Sequence, residues 1–137
     1  MALIVDSNVF IAIERQGRPW QDVLSIDPDG ETVAIASITV SELLVGVYRA
    51  DNALRRALRL AFVEDLVQGL EVVDFDIQAA RIHAEVWAEL SSSGLMIGPN
   101  DLIIAATALA HDYAVLTENV REFGRIPGPD VRQLRLL

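Results

Sequence analysis

Four short apolar runs, separated by longer segments with helical spacing, constrain the fold of this chain more than any other feature. The runs cover residues 2–5, 32–36, 70–73 and 114–116. Each is short and almost wholly apolar, which is typical of a strand buried on both faces. Between them, apolar residues recur every three or four positions, which predicts helices at 7–15, 19–26, 40–50, 52–68, 76–92 and 100–111. Strands that alternate with helices in this way form an α/β fold, in which helices cover both faces of a mainly parallel sheet.

Nothing in the sequence divides the chain into parts. Its length of 137 residues is about that of one domain. Gly or Pro beside small polar residues predicts short loops at 17–19, 27–30, 91–94, 98–100 and 126–130. There is no internal repeat and no low-complexity linker, so we expect residues 1–137 to form a single domain.

The composition excludes several classes of protein. Apolar residues make up 52% of the chain, whereas intrinsically disordered chains have low hydrophobicity. No apolar stretch approaches the roughly 20 residues that a bilayer core requires, and the first residues lack the charged leader of a secretory signal. The absence of cysteine excludes disulfide frameworks and cysteine-ligated metals. We therefore expect a cytoplasmic protein that does not enter a membrane.

The charge balance is acidic, with a net charge of −9, and every basic residue is arginine. Proteins that bind nucleic acids are usually basic, because phosphate contacts need cations. An acidic chain is still compatible with such a partner if some of its carboxylates surround a divalent cation, which inverts the local field. On the 52–68 helix, Arg55, Arg56 and Arg59 form a basic cluster. A solvated helix face is its simpler interpretation, and contact with an RNA backbone is the alternative.

Three carboxylates lie where predicted elements meet. Asp6 follows the first strand, Glu42 comes soon after the second strand, and Asp101 begins the helix that leads to the last strand. Because ligands of parallel α/β folds bind beyond the carboxyl ends of the strands, we expect these side chains to meet at one edge of the sheet. Oxygen ligands grouped in this way suit Mg²⁺ or Mn²⁺, which would activate water for attack on a phosphodiester.

Each of these carboxylates also has a purely structural interpretation. Asp6 suits a helix N-cap, and Thr39 with Glu42 three residues later fits a capping box. Asp101 suits the first turn of its helix, where acids favour the helix dipole. Taken singly, each residue is better explained as a cap, and position alone leaves both interpretations open.

Four ordered segments resemble the motifs of the PIN-domain family, specifically VapC-type toxins. They are residues 4–9 around Asp6, 36–43 around Glu42, 98–108 around Asp101, and 115–123 from the end of the last strand onward. The resemblance covers nearly the whole chain. It implies a three-layer α/β/α sandwich and a single PIN domain that hydrolyses RNA phosphodiester bonds as a Mg²⁺- or Mn²⁺-dependent endoribonuclease.

The resemblance also implies roles for individual residues. Asp6 and Asp101 would be the main metal ligands, and Glu42 a third acidic member of the site. Thr117 and Ser7 would orient ligands or water through their hydroxyl groups.

The fourth acidic position departs from many relatives, which have aspartate where this chain has Asn119. Glu122 is the better candidate for the missing carboxylate, with Glu118 as the second choice. Asn119 itself would contact a metal-bound water without contributing charge. The number of metal ions therefore stays open.

The resemblance further implies a homodimer and a VapB-like antitoxin that blocks the acidic site, with the alanine-rich helices 40–50 and 52–68 as its groove. Two alternatives remain: a PIN-fold RNA-processing nuclease outside any toxin–antitoxin system, and a binding module whose three acids are only caps. His83, His111, Trp20 and Trp87 are expected to have structural roles, the tryptophans as core or interface anchors.

Overall fold

The computed structural model describes residues 2–24 and 32–133. Its strands are β1 (Ala2–Val5), β2 (Thr32–Ala36), β3 (Glu71–Val73), β4 (Tyr113–Leu116) and β5 (Val131–Arg132). Its helices are α1 (Ser7–Arg15), α2 (Trp20–Leu24), α3 (Ser37–Tyr48), α4 (Ala53–Gly69), α5 (Ile77–Ser93), α6 (Pro99–His111) and α7 (Val120–Phe123). No helix in these ranges is long and apolar enough to cross a membrane.

The five strands form one sheet in the order β3-β2-β1-β4-β5, and every pairing between them is parallel. β1 lies at the centre, with β2 on one side and β4 on the other. Its last residue, Val5, is paired with Leu116 at the end of β4, so both strands finish at the same edge. The prediction of a parallel α/β sheet is confirmed.

Side chains that alternate along the strands supply two separate cores, one on each face of the sheet. Ile4 packs with α5 and α6 residues such as Leu90 and Leu102. The next residue, Val5, packs on the opposite face with Phe10 of α1 and Leu66 of α4. Period-two alternation between buried faces is what a strand between two helical layers requires. The molecule is therefore an α/β/α sandwich.

Local sequence signals set most helix ends. The side chains of Asn52 and Asp76 accept hydrogen bonds from backbone N–H groups in the first turns of α4 and α5, at 2.8 and 2.9 Å. Gly94 ends α5 in the left-handed conformation, with φ of 68°. Pro99 begins α6, in the first turn of the helix, where its missing N–H costs no intrahelical hydrogen bond.

Trp20 connects α2 to α4, and the expected anchoring role for this tryptophan agrees with its burial. Its indole Nε1 donates a hydrogen bond of 2.8 Å to Asp65 Oδ2. A Cβ on Gly69 would lie 2.5 Å from the Trp20 ring, so only glycine leaves room for it. Trp87, by contrast, is half exposed on α5.

The predicted capping box at Thr39 is wrong. α3 begins at Ser37, because β2 leads directly into it, and its N-cap is Ala36, which makes no side-chain cap. Thr39 is instead buried inside the first turns of the helix. Glu42 consequently lies in the second turn of α3, one turn deeper than expected.

Two short elements were not predicted. β5 has two residues and α7 has four, which is too short for any periodic pattern. The expected helix at 19–26 is seen as Trp20–Leu24, and its last two positions, like the loop expected at 27–30, lie outside the described residues.

Replacement of Leu66 with alanine should lower the free energy of unfolding by about 2–5 kcal/mol, the range for deletion of a buried leucine side chain. Leu66 is 0% exposed within the core formed by α1, α3 and α4. Urea denaturation followed by circular dichroism measures the effect. Leu54→Ala, on the same helix but 70% exposed, is the matched control and should change stability by at most about 0.5 kcal/mol. Equal effects of the two substitutions would contradict the assigned packing of α4.

Candidate active site

The predicted site residues meet at the carboxyl edge of the sheet, where three strands lead into helices. Asp6 lies directly between β1 and α1, and Thr117 directly follows β4. Glu42 comes from α3 and Asp101 from the first turn of α6. The expectation that a parallel sheet brings these residues to one edge holds for all of them.

Asp6 is the most buried of the carboxylates, with 2% of its surface exposed. Its Oδ1 accepts a hydrogen bond of 2.8 Å from the Ser7 backbone N–H, and its Oδ2 accepts one of 2.8 Å from Thr117 Oγ1. Burial raises the pKa of the Asp6 carboxyl, and these hydrogen bonds from Thr117 and Ser7 oppose the rise. Asp6 is thus both the N-cap of α1 and a fixed member of the carboxylate group, so its two interpretations are compatible.

Asp101 shows most clearly that the carboxylates act on one another. The pKa of Asp101 is raised to about 7. Burial is the main cause, the negative charge of Asp6 adds to it, and so do a hydrogen bond that the protonated Asp101 carboxyl donates to Glu122 and the charges of Glu122 and Glu42. A carboxyl that holds its proton near neutral pH marks a position where further negative charge is opposed. We call these four residues, Asp6, Glu42, Asp101 and Glu122, the carboxylate cluster.

Glu42 reaches the cluster from α3, and its pKa is also raised. Burial is the main cause, the charge of Asp6 adds to it, and a hydrogen bond from the Asn100 side chain acts in the opposite direction. Its Oε1 is buried and has no hydrogen-bond partner among the described residues. A buried acceptor without a partner is costly, and a cation or a donor from a ligand would satisfy it.

The fourth position is occupied by an amide and a carboxylate together. Asn119 Nδ2 donates to Asp101 Oδ2 at 3.2 Å and to Glu122 Oε2 at 3.0 Å, so it joins the two acids. Glu118 is turned away: its Oε2 accepts from Gln133 Nε2 at 3.4 Å. The structure therefore brings Asn119 and Glu122 to the cluster and leaves Glu118 outside it.

Sequence reasoning gave no role to two asparagines that support the cluster. Asn8 donates from Nδ2 to Thr117 Oγ1 at 3.4 Å and accepts at Oδ1 from the Glu118 backbone N–H at 3.2 Å, which ties α1 to the loop after β4. Asn100 acts on Glu42, as described above. Both lie within two residues of a motif aspartate, and this proximity is the sequence feature that could have identified them as supporting residues.

In the described conformation the acids are grouped but not gathered around a single point. Among residues 2–24 and 32–133, no three Asp, Glu, His or Cys side chains are positioned to hold one metal ion together.

Comparisons with known proteins identify the family of this chain. The family model described as PIN domain matches residues 3–129. Ribonuclease VapC1 of Rickettsia felis is 35% identical over 134 residues, which is 96% of this chain and 95% of the relative.

Two solved structures resemble the fold closely. VapBC2 from Rickettsia felis, bound to a DNA fragment from its promoter, has a TM-score of 0.88 at 27% identity, over 98% of this chain and 100% of the other. VapBC-5 from Mycobacterium tuberculosis, a member of the VapBC family of toxin–antitoxin systems, has a TM-score of 0.74 at 32% identity, over 99% and 100% of the two chains. The chain described here therefore belongs to the PIN-domain family, in its VapC-type branch.

Proposed function

We propose that this chain is a metal-dependent endoribonuclease and the toxin of a toxin–antitoxin pair. The carboxylate cluster at the sheet edge carries the proposal, because acids whose charges raise the pKa of Asp101 and Glu42 are poorly explained as caps alone. The ribonuclease name of a relative that matches almost the whole chain supports the same activity.

The residues present fit a divalent cation. Every charged group in the cluster that could bind a metal is a carboxylate, and its oxygens are the ligand type that Mg²⁺ and Mn²⁺ prefer. Glu42 Oε1, which has no hydrogen-bond partner in the described part of the chain, and the raised pKa of Asp101 both indicate missing positive charge. Asp6, Asp101 and Glu42 would hold the ion once their side chains turn toward it, and Glu122 would supply the fourth carboxylate.

A bound ion supplies an activated water and stabilises the charge that develops on the phosphate. The residues of the chain fix where this chemistry takes place. Thr117 and the Ser7 backbone N–H hold both oxygens of Asp6, so this carboxylate cannot rotate freely. Asn119 holds Asp101 and Glu122 at a fixed separation through its two donated hydrogen bonds. Thr117 Oγ1 also accepts from the Asn119 backbone N–H at 2.9 Å, which links the two halves of the cluster.

Asp6→Asn and Asp101→Asn should each lower the rate of RNA cleavage by at least about 100-fold, as is usual when a group that stabilises transition-state charge is lost. Asparagine keeps the shape of the side chain and removes its negative charge. Initial rates on single-stranded RNA in Mg²⁺ or Mn²⁺ measure the effect. Glu85→Gln, an exposed acid on α5, is the control and should cleave at the wild-type rate. Full activity in both aspartate variants, or cleavage that persists in EDTA, would contradict the mechanism.

The metal-free protein should lose stability as the pH rises from about 4 to about 7. The Asp101 carboxyl has its ordinary pKa of 3.8 when unfolded and about 7 in the folded protein. Between these values the folded state binds more protons than the unfolded state. The stabilising effect is complete below the unfolded pKa and disappears as the pH passes through the folded pKa. Urea denaturation in EDTA at a series of pH values measures this slope.

Asp101→Asn should flatten the slope, because asparagine has no proton to lose. Added Mg²⁺ or Mn²⁺ should raise the melting temperature of the wild type at neutral pH by linkage, and should do so far less in the variant. If metal stabilises neither protein, the acids are helix caps and the nuclease proposal fails.

The proposed partners are RNA as substrate, a VapB-like antitoxin and a second copy of the chain. An exposed apolar surface on α3 and the start of α4, formed by Val45, Tyr48 and Leu54, suits an antitoxin segment; Tyr48 is 77% exposed. The half-exposed Trp87 on α5 is a candidate anchor for the homodimer. Because the proposed substrate is cellular RNA, we place the protein in the cytoplasm.

Expression of the wild-type chain alone should arrest growth of a bacterial host, and Asp101→Asn should abolish the arrest. Coexpression of the small reading frame immediately upstream of its gene should restore growth to the wild-type protein. Optical density and viable counts after induction measure both effects. Growth arrest that no neighbouring reading frame relieves would leave the nuclease activity in place and contradict the toxin–antitoxin assignment.

A further inference from the structure

A groove leads away from the carboxylate cluster between α1, α3 and α4. Its inner part has a volume of about 230 Å³ and is lined by Ile11, Glu14, Arg15, Glu42, Gly46 and Arg59, among others. A second hollow of about 480 Å³ shares Glu14 and Arg59 with it and extends the groove to Arg55 and Leu58. We call the two together the arginine groove. Because Glu42 lines its inner part, the groove is continuous with the carboxylate cluster.

Arginines line the groove although the chain as a whole is acidic. Three of the 11 arginines, Arg15, Arg55 and Arg59, do so in a chain with a net charge of −9. Arg15 and Arg59 line the inner part, and within residues 2–24 and 32–133 neither is paired with a carboxylate. Arg55, by contrast, is neutralised by Asp51 at 3.2 Å. Unpaired arginines in a groove form an attractive site for phosphate groups.

Arg59 is held at a defined distance from the cluster. Its Nη1 donates a hydrogen bond of 3.1 Å to the Gly46 carbonyl on α3. Gly46 follows Glu42 by four residues, roughly 6 Å along the helix axis. The guanidinium group therefore lies about one helical turn from the cluster and still has donors to offer.

Gly46 has no evident role within the fold. It lies in the middle of α3, where glycine destabilises a helix relative to alanine. A Cβ at this position would meet nothing within 4 Å, so packing does not require glycine here. Glycine on an open groove wall does, however, allow a ligand to approach the helix backbone closely.

We propose that the arginine groove binds the backbone of single-stranded RNA next to the bond that is cut, with Arg59 and Arg15 contacting phosphates on one side of it. This inference rests on the proposed nuclease function and extends it to the path of the substrate. The partly buried Phe62 and the adjacent Ile11 provide an apolar surface for a base, the usual combination for single-stranded nucleic acid.

The charges of the groove favour RNA over a protein segment. Among the described residues its unpaired cations are Arg15 and Arg59, and its carboxylates are Glu14 and Glu42. Glu42 belongs to the cluster that a cation would neutralise, so with the cation bound the arginines outnumber the remaining carboxylate. The exposed apolar residues Val45, Tyr48 and Leu54 do not line the groove and provide a separate surface for a protein partner.

Binding of fluorescein-labelled, random-sequence single-stranded RNA, measured by anisotropy, tests the proposal in the Asp101→Asn background, which prevents cleavage. Arg59→Gln and Arg15→Gln should each weaken binding roughly tenfold, the scale of one lost charge-assisted contact. Each should also reduce the slope of log affinity against log salt by about 0.7. Arg81→Gln, on α5 across the sheet, is the control and should change neither quantity.

A second pair of variants tests whether RNA approaches the backbone of α3 at Gly46. Gly46→Leu should project into the groove and weaken RNA binding, while Gly46→Ala should weaken it less and raise the melting temperature. Retained melting temperature in Gly46→Leu shows that the loss is not due to unfolding.

Unchanged affinity and salt slope in both arginine variants would overturn the proposal and leave the groove as a surface for a protein segment. Failure of the nuclease function itself would appear separately, as absence of RNA cleavage by the wild type.

Discussion

The burial of Asp6 is the constraint on which the rest of the site depends. This carboxylate directly follows β1, the central strand, and is removed almost completely from water. Burying a charge is costly unless donors surround it, and here a backbone N–H of α1 and the hydroxyl of Thr117 after β4 provide them. The two donors come from chain segments more than 100 residues apart, so Asp6 also fixes how the halves of the molecule meet.

The field of Asp6 extends to the other acids. Its charge raises the pKa of both Asp101 and Glu42, which come from opposite sides of the central strand. Neutral amides, Asn100 beside Glu42 and Asn119 between Asp101 and Glu122, limit the repulsion without cancelling it. The arrangement is stable enough to form and still retains the excess negative charge that a cation would relieve.

Much of this arrangement was predictable, because it follows from patterns that act over a few residues. Short apolar runs located four strands, and the rule that parallel strands place their carboxyl ends together located Asp6, Glu42 and Asp101. The capping box failed at Thr39 because β2 passes into α3 without a loop, a feature of tertiary packing that no local pattern records. The elements β5 and α7 were not predicted, because segments of two and four residues are too short to show a periodic hydrophobic pattern. Glu122 rather than Glu118 reaches the carboxylate cluster because of α7. The single turn of this helix brings Glu122 beside Asn119, which precedes it by three residues.

The strand order has a consequence for synthesis on the ribosome. Asp6 and Glu42 belong to the first half of the chain, but Asp101, Thr117 and Glu122 belong to the last third, and β4 must insert beside β1 before they meet. A nascent chain that has emerged only as far as α5 has two of the four acids and no donor for Asp6 from Thr117. Such a chain cannot assemble the carboxylate cluster, however well its first helices fold. The translating cell therefore encounters the complete cluster only at the end of synthesis, when the protein is ready to be released.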